Sequence, residues 1–150
     1  MSSLPQSKIL NILLADDDAD DSLFFEQALS SISIPTTLKL VKDGEELMKY
    51  LLNEKVQLPD VLFLDLSMPR KTGFECLTEI KENSRFAALH VFVFTTSFGR
   101  SNEYEKSLMN TLVNIGAEQY IRKPAKMEQL SEIIHTAILS ILDKEPLDTV

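Results

Sequence analysis

The stretch DVLFLDLSMPRKTGFE, residues 60–75, opens on four consecutive apolar residues, Val61 to Leu64, and stops on a carboxylate, Asp65. A run that is apolar at every position, rather than at every second one, buries both faces, as a strand inside a parallel sheet does. Working outward, the same pattern recurs in ILNILLA (residues 9–15) and VFVF (91–94), with further short runs in LKLV (38–41) and QYI (119–121). Between the runs the apolar residues take helical spacing: Phe25, Leu29 and Ile32, then Leu47, Tyr50 and Leu51, then Phe74, Leu77 and Ile80. Strands alternating with helices imply right-handed crossovers. The expected fold is α/β, a doubly wound five-stranded parallel sheet of order 2-1-3-4-5 with helices on both faces.

Local signals set the expected boundaries. Asp18 or Asp20 caps the first helix, Asp43 and Gly44 turn the chain into the second, and Leu58 with Pro59 ends it. The composition, 44% hydrophobic and 25% charged over 150 residues with 4 Gly and 6 Pro, is that of one globular domain. That domain is expected to span 1–150, with its core at about 8–142 and a polar tail at 143–150. A formal net charge of −8 repels phosphate backbones, so nucleic acid is not an expected partner. The lone cysteine, Cys76, can close no internal disulfide and supply no multi-thiolate zinc site, which points to a reducing, cytoplasmic setting. MSSLPQSK lacks a signal-like apolar stretch, and no run approaches the roughly 20 apolar residues that span a bilayer. No membrane association is expected.

In doubly wound sheets ligands bind beyond the carboxyl ends of the strands, where strand order reverses. The first strand ends in Asp16, Asp17 and Asp18, the third in Asp65, the fourth in Thr95 and Thr96, and the fifth in Arg122 and Lys123 before Pro124. Strands one and three flank the reversal, so Asp16, Asp17 and Asp65 converge. Their mutual repulsion calls for a cation, and Mg²⁺ suits: it takes oxygen ligands and keeps positions open for phosphoryl oxygens. Asp65 beside such a metal is a candidate nucleophile forming an aspartyl phosphate. Lys123 would neutralise the incoming oxygens, and the Thr95 hydroxyl would hydrogen-bond one of them.

Each residue has a plainer reading. Acidic residues favour any helix start, Thr95 suits any strand end, Tyr120 suits any half-buried position, and Lys123 alone reads as a surface lysine. Their positions relative to Asp65 lift them above that. A calcium loop through Asp16, Asp18 and Asp20 fails because Asp21 stands where glycine is needed and Gln27 where glutamate is needed. Cys76 reads as a packing residue, and neither His90 nor His135 accompanies a nucleophile motif.

The stretches ILLADDDADD, DVLFLDLSMPRKTGFE, VFVFTTS and GAEQYIRKP, in that order, resemble the CheY-like response-regulator receiver domain of bacterial two-component signalling, over residues 8–142. VKDGEELMKYL and the acidic first loop look most like stand-alone receivers related to phytochrome-associated regulators. By that resemblance Asp65 is the phosphoacceptor, Asp16 and Asp17 hold Mg²⁺ with it, and Ser67 offers its backbone carbonyl to the metal. Thr95 and Lys123 assist, and Thr95 with Tyr120 forms the switch, both moving inward when Asp65 is phosphorylated. The Lys123–Pro124 peptide is expected to be cis. The implied partner is a sensor histidine kinase or a histidine phosphotransfer protein, in a phosphorelay switch that assists its own phosphorylation and dephosphorylation and is not an enzyme. Output is expected by protein contact, a dimer change or onward transfer to a histidine phosphotransfer protein, with the face of the fourth helix, fifth strand and fifth helix as the partner or homodimer surface.

Two departures stand out. Ser67 replaces the Asn common in the family, which a backbone ligand tolerates. Thr95 and Tyr120 lie 25 positions apart, more than a compact receiver needs, and the surplus falls in SFGRSNEYEKSLMNT, residues 97–111. The fourth helix or its leading loop is expected to be altered. An enzyme reading competes: a haloacid dehalogenase-type phosphatase with Asp16 as nucleophile, helped by Asp18, Thr95 and Lys123. It is opposed by Asp20, where that motif wants Thr or Val, and by the lack of a paired acidic motif after Lys123. It also leaves Asp65 without a role.

Overall fold

A computed structural model describes residues 9–96 and 102–144. The strands are β1 (Leu10–Ala15), β2 (Thr36–Val41), β3 (Val61–Leu64), β4 (His90–Thr95) and β5 (Gln119–Arg122). They alternate with α1 (Ala19–Ser30), α2 (Gly44–Leu52), α3 (Gly73–Lys81), α4 (Asn102–Ile115) and α5 (Met127–Lys144), and a 3-10 turn, Ser84–Phe86, leads into β4. The sheet runs β2-β1-β3-β4-β5, parallel throughout, which is the expected order.

Strand pleating divides the core into two layers, because successive side chains point to opposite faces. Ile12, Leu14, Val61, Phe63, Phe92, Phe94 and Ile121 pack with Phe25 of α1 and Ile134 and Ile138 of α5. Leu13, Leu62, Leu64, Val91, Val93 and Tyr120 pack on the other face with Leu47, Leu77 and Leu112 from α2, α3 and α4. Phe63 anchors the first layer, edge-on to Phe25 at 5.0 Å and stacked on Phe92 at 5.4 Å. Truncating such a ring to alanine costs about 3–5 kcal/mol.

Caps fix where the helices begin. Asp18 starts α1 by accepting from the Asp20 and Asp21 amides, Asp43 starts α2 by accepting from Glu46, and Thr72 with Glu75 forms a reciprocal box at α3. Three boundaries differ from expectation. β2 begins two residues before its apolar run and buries only Val41 fully, because it is an edge strand with one neighbour. Helix α1 stops at Ser30, so Ile32 packs from the following turn. Helix α2 ends at Leu52, not at Leu58 and Pro59, because Asn53 adopts extended backbone and its side chain accepts from the Lys55 amide. Residues 53–60 return to the sheet as a loop.

The expected alteration of the fourth helix or its leading loop falls on residues 97–111; residues 97–101 lie outside the described residues, and 102–111 belong to α4. Residues 145–150 of the expected tail also lie outside them. Among the described residues no helix is long and apolar enough to cross a membrane.

Candidate functional site

Asp16, Asp17 and Asp65 meet at the carboxyl ends of β1 and β3, with carboxylate oxygens within 4.8 Å of one another. Adjacent parallel pairing puts them there: Ala15 lies opposite Leu64, and the Asp65 amide donates to the Ala15 carbonyl at 3.0 Å. Asp16 and Asp65 are only 2% and 5% exposed, whereas Asp17 is open to solvent.

Asp65 is held from three sides. Thr95 at the end of β4 is fully buried and its hydroxyl donates to Asp65 Oδ1 at 2.8 Å. The Ser67 amide reaches the same oxygen at 3.3 Å. The Lys123 ammonium reaches Asp65 Oδ2 at 3.4 Å, Asp16 Oδ2 at 2.6 Å and Asp21 Oδ2 at 2.9 Å. The Lys123 amide donates to the Thr95 carbonyl at 2.8 Å, which continues the β4 and β5 pairing beyond Arg122 and aims the lysine at the crevice.

Burial pushes the Asp16 carboxyl up to about 6, against the Lys123 and Asp18 hydrogen bonds that favour its charged form. Burial alone would lower the Lys123 ammonium, but hydrogen bonds to Asp16 and Asp21 and the charge of Asp65 hold it above the usual lysine range. Three oxygen-donor carboxylates, two of them buried, are a ligand set for a hard divalent cation, and one lysine cannot neutralise all of them.

The loop after β3 is shaped by a close approach. A Cβ on Gly73 would lie 2.3 Å from the Asp65 carbonyl oxygen and 2.7 Å from Leu66 Cα, so only glycine lets α3 start directly against the Asp65 backbone. A Cβ on Gly44 would meet the Lys71 carbonyl at 2.0 Å, so the same loop also rests on the start of α2. Arg70, at a φ of 71°, ties the loop to Asp43 through Nε at 3.3 Å.

Tyr120 is 8% exposed, with its ring in the layer of α2, α3 and α4 and its hydroxyl donating to Glu105 of α4 at 2.8 Å. Burial, then the Glu105 carboxylate, pushes its phenol up to about 12. Glu105 also accepts from the Arg122 guanidinium through both carboxylate oxygens.

The structure therefore brings Asp16, Asp17, Asp65, Ser67, Thr95 and Lys123 together and places Tyr120 behind them. Two readings are corrected. The Lys123–Pro124 peptide is trans, the isomer favoured by about 0.5–1 kcal/mol, and Lys123 reaches the carboxylates from it. The phosphatase reading loses its second aspartate, since Asp18 is engaged in capping α1. Sequence reasoning missed Asp21 as a Lys123 partner and Glu105 altogether. Helical spacing from the Asp18 cap was a usable signal for Asp21; Glu105 had none.

The family model described as the response regulator receiver domain matches residues 12–135. Response regulator Rcp1 of Synechocystis sp. is 36% identical over 57% of this chain, an alignment that spans 61% of Rcp1 and so less than two thirds of that relative's length. The crystal structure of the phosphorylated cyanobacterial phytochrome response regulator RcpA is similar with a TM-score of 0.78 and 29% identity, over 95% of this chain and 100% of that one. The Mn²⁺-bound form of Rcp1 gives 0.77 and 26%, over 93% and 99%. With the sheet order, the carboxylate trio and a match across most of its length, this chain belongs to the response-regulator receiver domain family of two-component signalling.

Proposed function

We propose that Asp65 accepts a phosphoryl group from a histidine kinase or histidine phosphotransfer protein. The observation that carries this reading is the convergence on one buried carboxylate of the Thr95 hydroxyl, the Lys123 ammonium and two further carboxylates. Asp65 attacks phosphorus as the donor's P–N bond breaks, and the imidazole leaves with the electron pair and takes a proton from solvent. Mg²⁺ held by Asp16, Asp17, Asp65 and the Ser67 carbonyl would supply positive charge to the phosphoryl oxygens. Thr95 turns its hydroxyl from the carboxylate to one of those oxygens, and Lys123 takes another. The product is a switch, not a turnover catalyst, and it works in the cytoplasm.

Readout passes through Tyr120 to α4, β5 and α5. Exposed Tyr104, Met109 and Val113 on α4 and Leu139 and Leu142 on α5 support that face as the contact for a downstream protein or a second copy. A small phosphodonor with Mg²⁺, followed by borohydride trapping and mass spectrometry, should mark Asp65. Asp65→Asn should abolish the mark, and undiminished labelling in that variant would overturn the reading.

A further inference from the structure

An ammonium has three N–H donors. Lys123 directs its own at Asp16, Asp21 and Asp65, at 2.6, 2.9 and 3.4 Å, with its side chain only 9% exposed. Asp16 and Asp65 belong to the trio whose oxygens are close enough to share a cation, and Asp21 does not. It lies in the first turn of α1, 39% exposed, with its carboxylate on the lysine. Lys123 therefore has two partners that a cation would claim and one that it would not.

A lysine that stayed on Asp16 would oppose a divalent cation there by like-charge repulsion over a few ångströms of poorly hydrated crevice. A lysine that simply left would lose its grip near Asp65. The third partner resolves the conflict. We propose that Asp21 is a positioning residue for Lys123: it retains the ammonium while Asp16 turns from the lysine to a cation, and frees one N–H to swing from Asp16 toward an oxygen on Asp65. This rests on the cation and phosphoacceptor reading above. Asp21 thereby governs cation affinity through Lys123, beyond its own negative charge.

Asp20 supplies the control, since it is exposed one position away on α1 and lies outside the Lys123 contacts. Calorimetric titration of the full chain with Mg²⁺, and separately Mn²⁺, compares the wild type with Asp21→Asn, Asp20→Asn, Asp21→Glu, Lys123→Met and the Asp21→Asn, Lys123→Met double variant. Asp21→Asn should weaken affinity about tenfold, the scale of lost outer-sphere support, and Asp20→Asn distinctly less. Asp21→Glu should restore most of the loss. In the Lys123→Met background Asp21→Asn should cost no more than Asp20→Asn, because the route through the lysine is gone. The Lys123 ammonium proton signal in NMR should survive cation addition in the wild type and vanish into water exchange in Asp21→Asn.

Equal losses for Asp21→Asn and Asp20→Asn, an Asp21→Asn loss unchanged by Lys123→Met, or a surviving ammonium signal in Asp21→Asn would each overturn the positioning role while leaving the cation site standing. A wild type that binds neither Mg²⁺ nor Mn²⁺ would overturn the cation reading and the positioning role together.

Discussion

The Tyr120 hydroxyl donates to the Glu105 carboxylate at 2.8 Å, so the aromatic of β5 is fastened to α4 by a residue that Arg122 also grips. The ring's inward position is thus held from the helix side as well as by its own burial. Any contact that shifts α4 works directly on Tyr120.

That bond has a pH signature. The Tyr120 phenol is pushed up to about 12, so the folded state favours the neutral form. The stability this contributes is complete below the ordinary tyrosine value of about 10 and is lost as pH rises through the folded value. Glu105→Gln replaces the carboxylate with a weaker acceptor and should move the loss to lower pH. Alkaline absorbance titration against Tyr120→Phe isolates this phenol from Tyr50 and Tyr104, and an unmoved titration would show that burial alone holds it.

Thr95→Val keeps the volume and removes the hydroxyl. Asp65 Oδ1 would retain only the 3.3 Å contact with the Ser67 amide. We expect a loss of about 1.5–3 kcal/mol in urea unfolding, the scale of a buried hydrogen bond to a charged acceptor. The same variant should slow labelling of Asp65 by a small phosphodonor.

At Gly73 the expected effect is steric. Gly73→Ala puts a methyl 2.3 Å from the Asp65 carbonyl oxygen, and the listener to that clash is backbone, which cannot rotate away. Destabilisation of about 1–3 kcal/mol should accompany slower labelling of Asp65 by a small phosphodonor, because the Asp65 peptide itself must shift. Unfolding and labelling assays on one preparation would show whether the two losses travel together.

Asp17→Ala should have opposite effects with and without cation. Removing one carboxylate from the cluster relieves repulsion, so the thermal midpoint without divalent cation should rise. Mg²⁺ affinity should fall, and with it the stabilisation that added Mg²⁺ gives. A lower midpoint without cation would assign Asp17 a structural role at the start of α1 instead.

The sheet was legible because its inner strands are buried on both faces and therefore read as unbroken apolar runs. β2 was less so, since an edge strand exposes every other residue and its first two threonines carry no apolar signal. The carboxylates, Thr95 and Lys123 were legible as strand ends, whose meeting follows from strand order alone. Glu105 was not, and Asp21 only through its helical spacing from the Asp18 cap: their partners lie 15 and 102 positions away in sequence, and helix phase decides whether each pair can touch. The trans bond at Pro124 could not be read from composition, because X–Pro isomers differ by too little energy.

Four consecutive residues of the last strand and its exit alternate between the two sides of the sheet. Tyr120 and Arg122 address Glu105 on one side of the sheet, while Ile121 packs in the layer of α1 and α5 and Lys123 reaches Asp21 of α1. Odd and even positions thus speak to different helices. A one-residue deletion between Gly116 and Gln119 that slipped this strand against β4 would exchange the two audiences, sending Tyr120 toward the layer of α1 and α5 and Lys123 toward the Glu105 side, away from the carboxylates. Parity, more than side-chain identity, keeps the carboxylate crevice and the α4 side of this molecule from trading places.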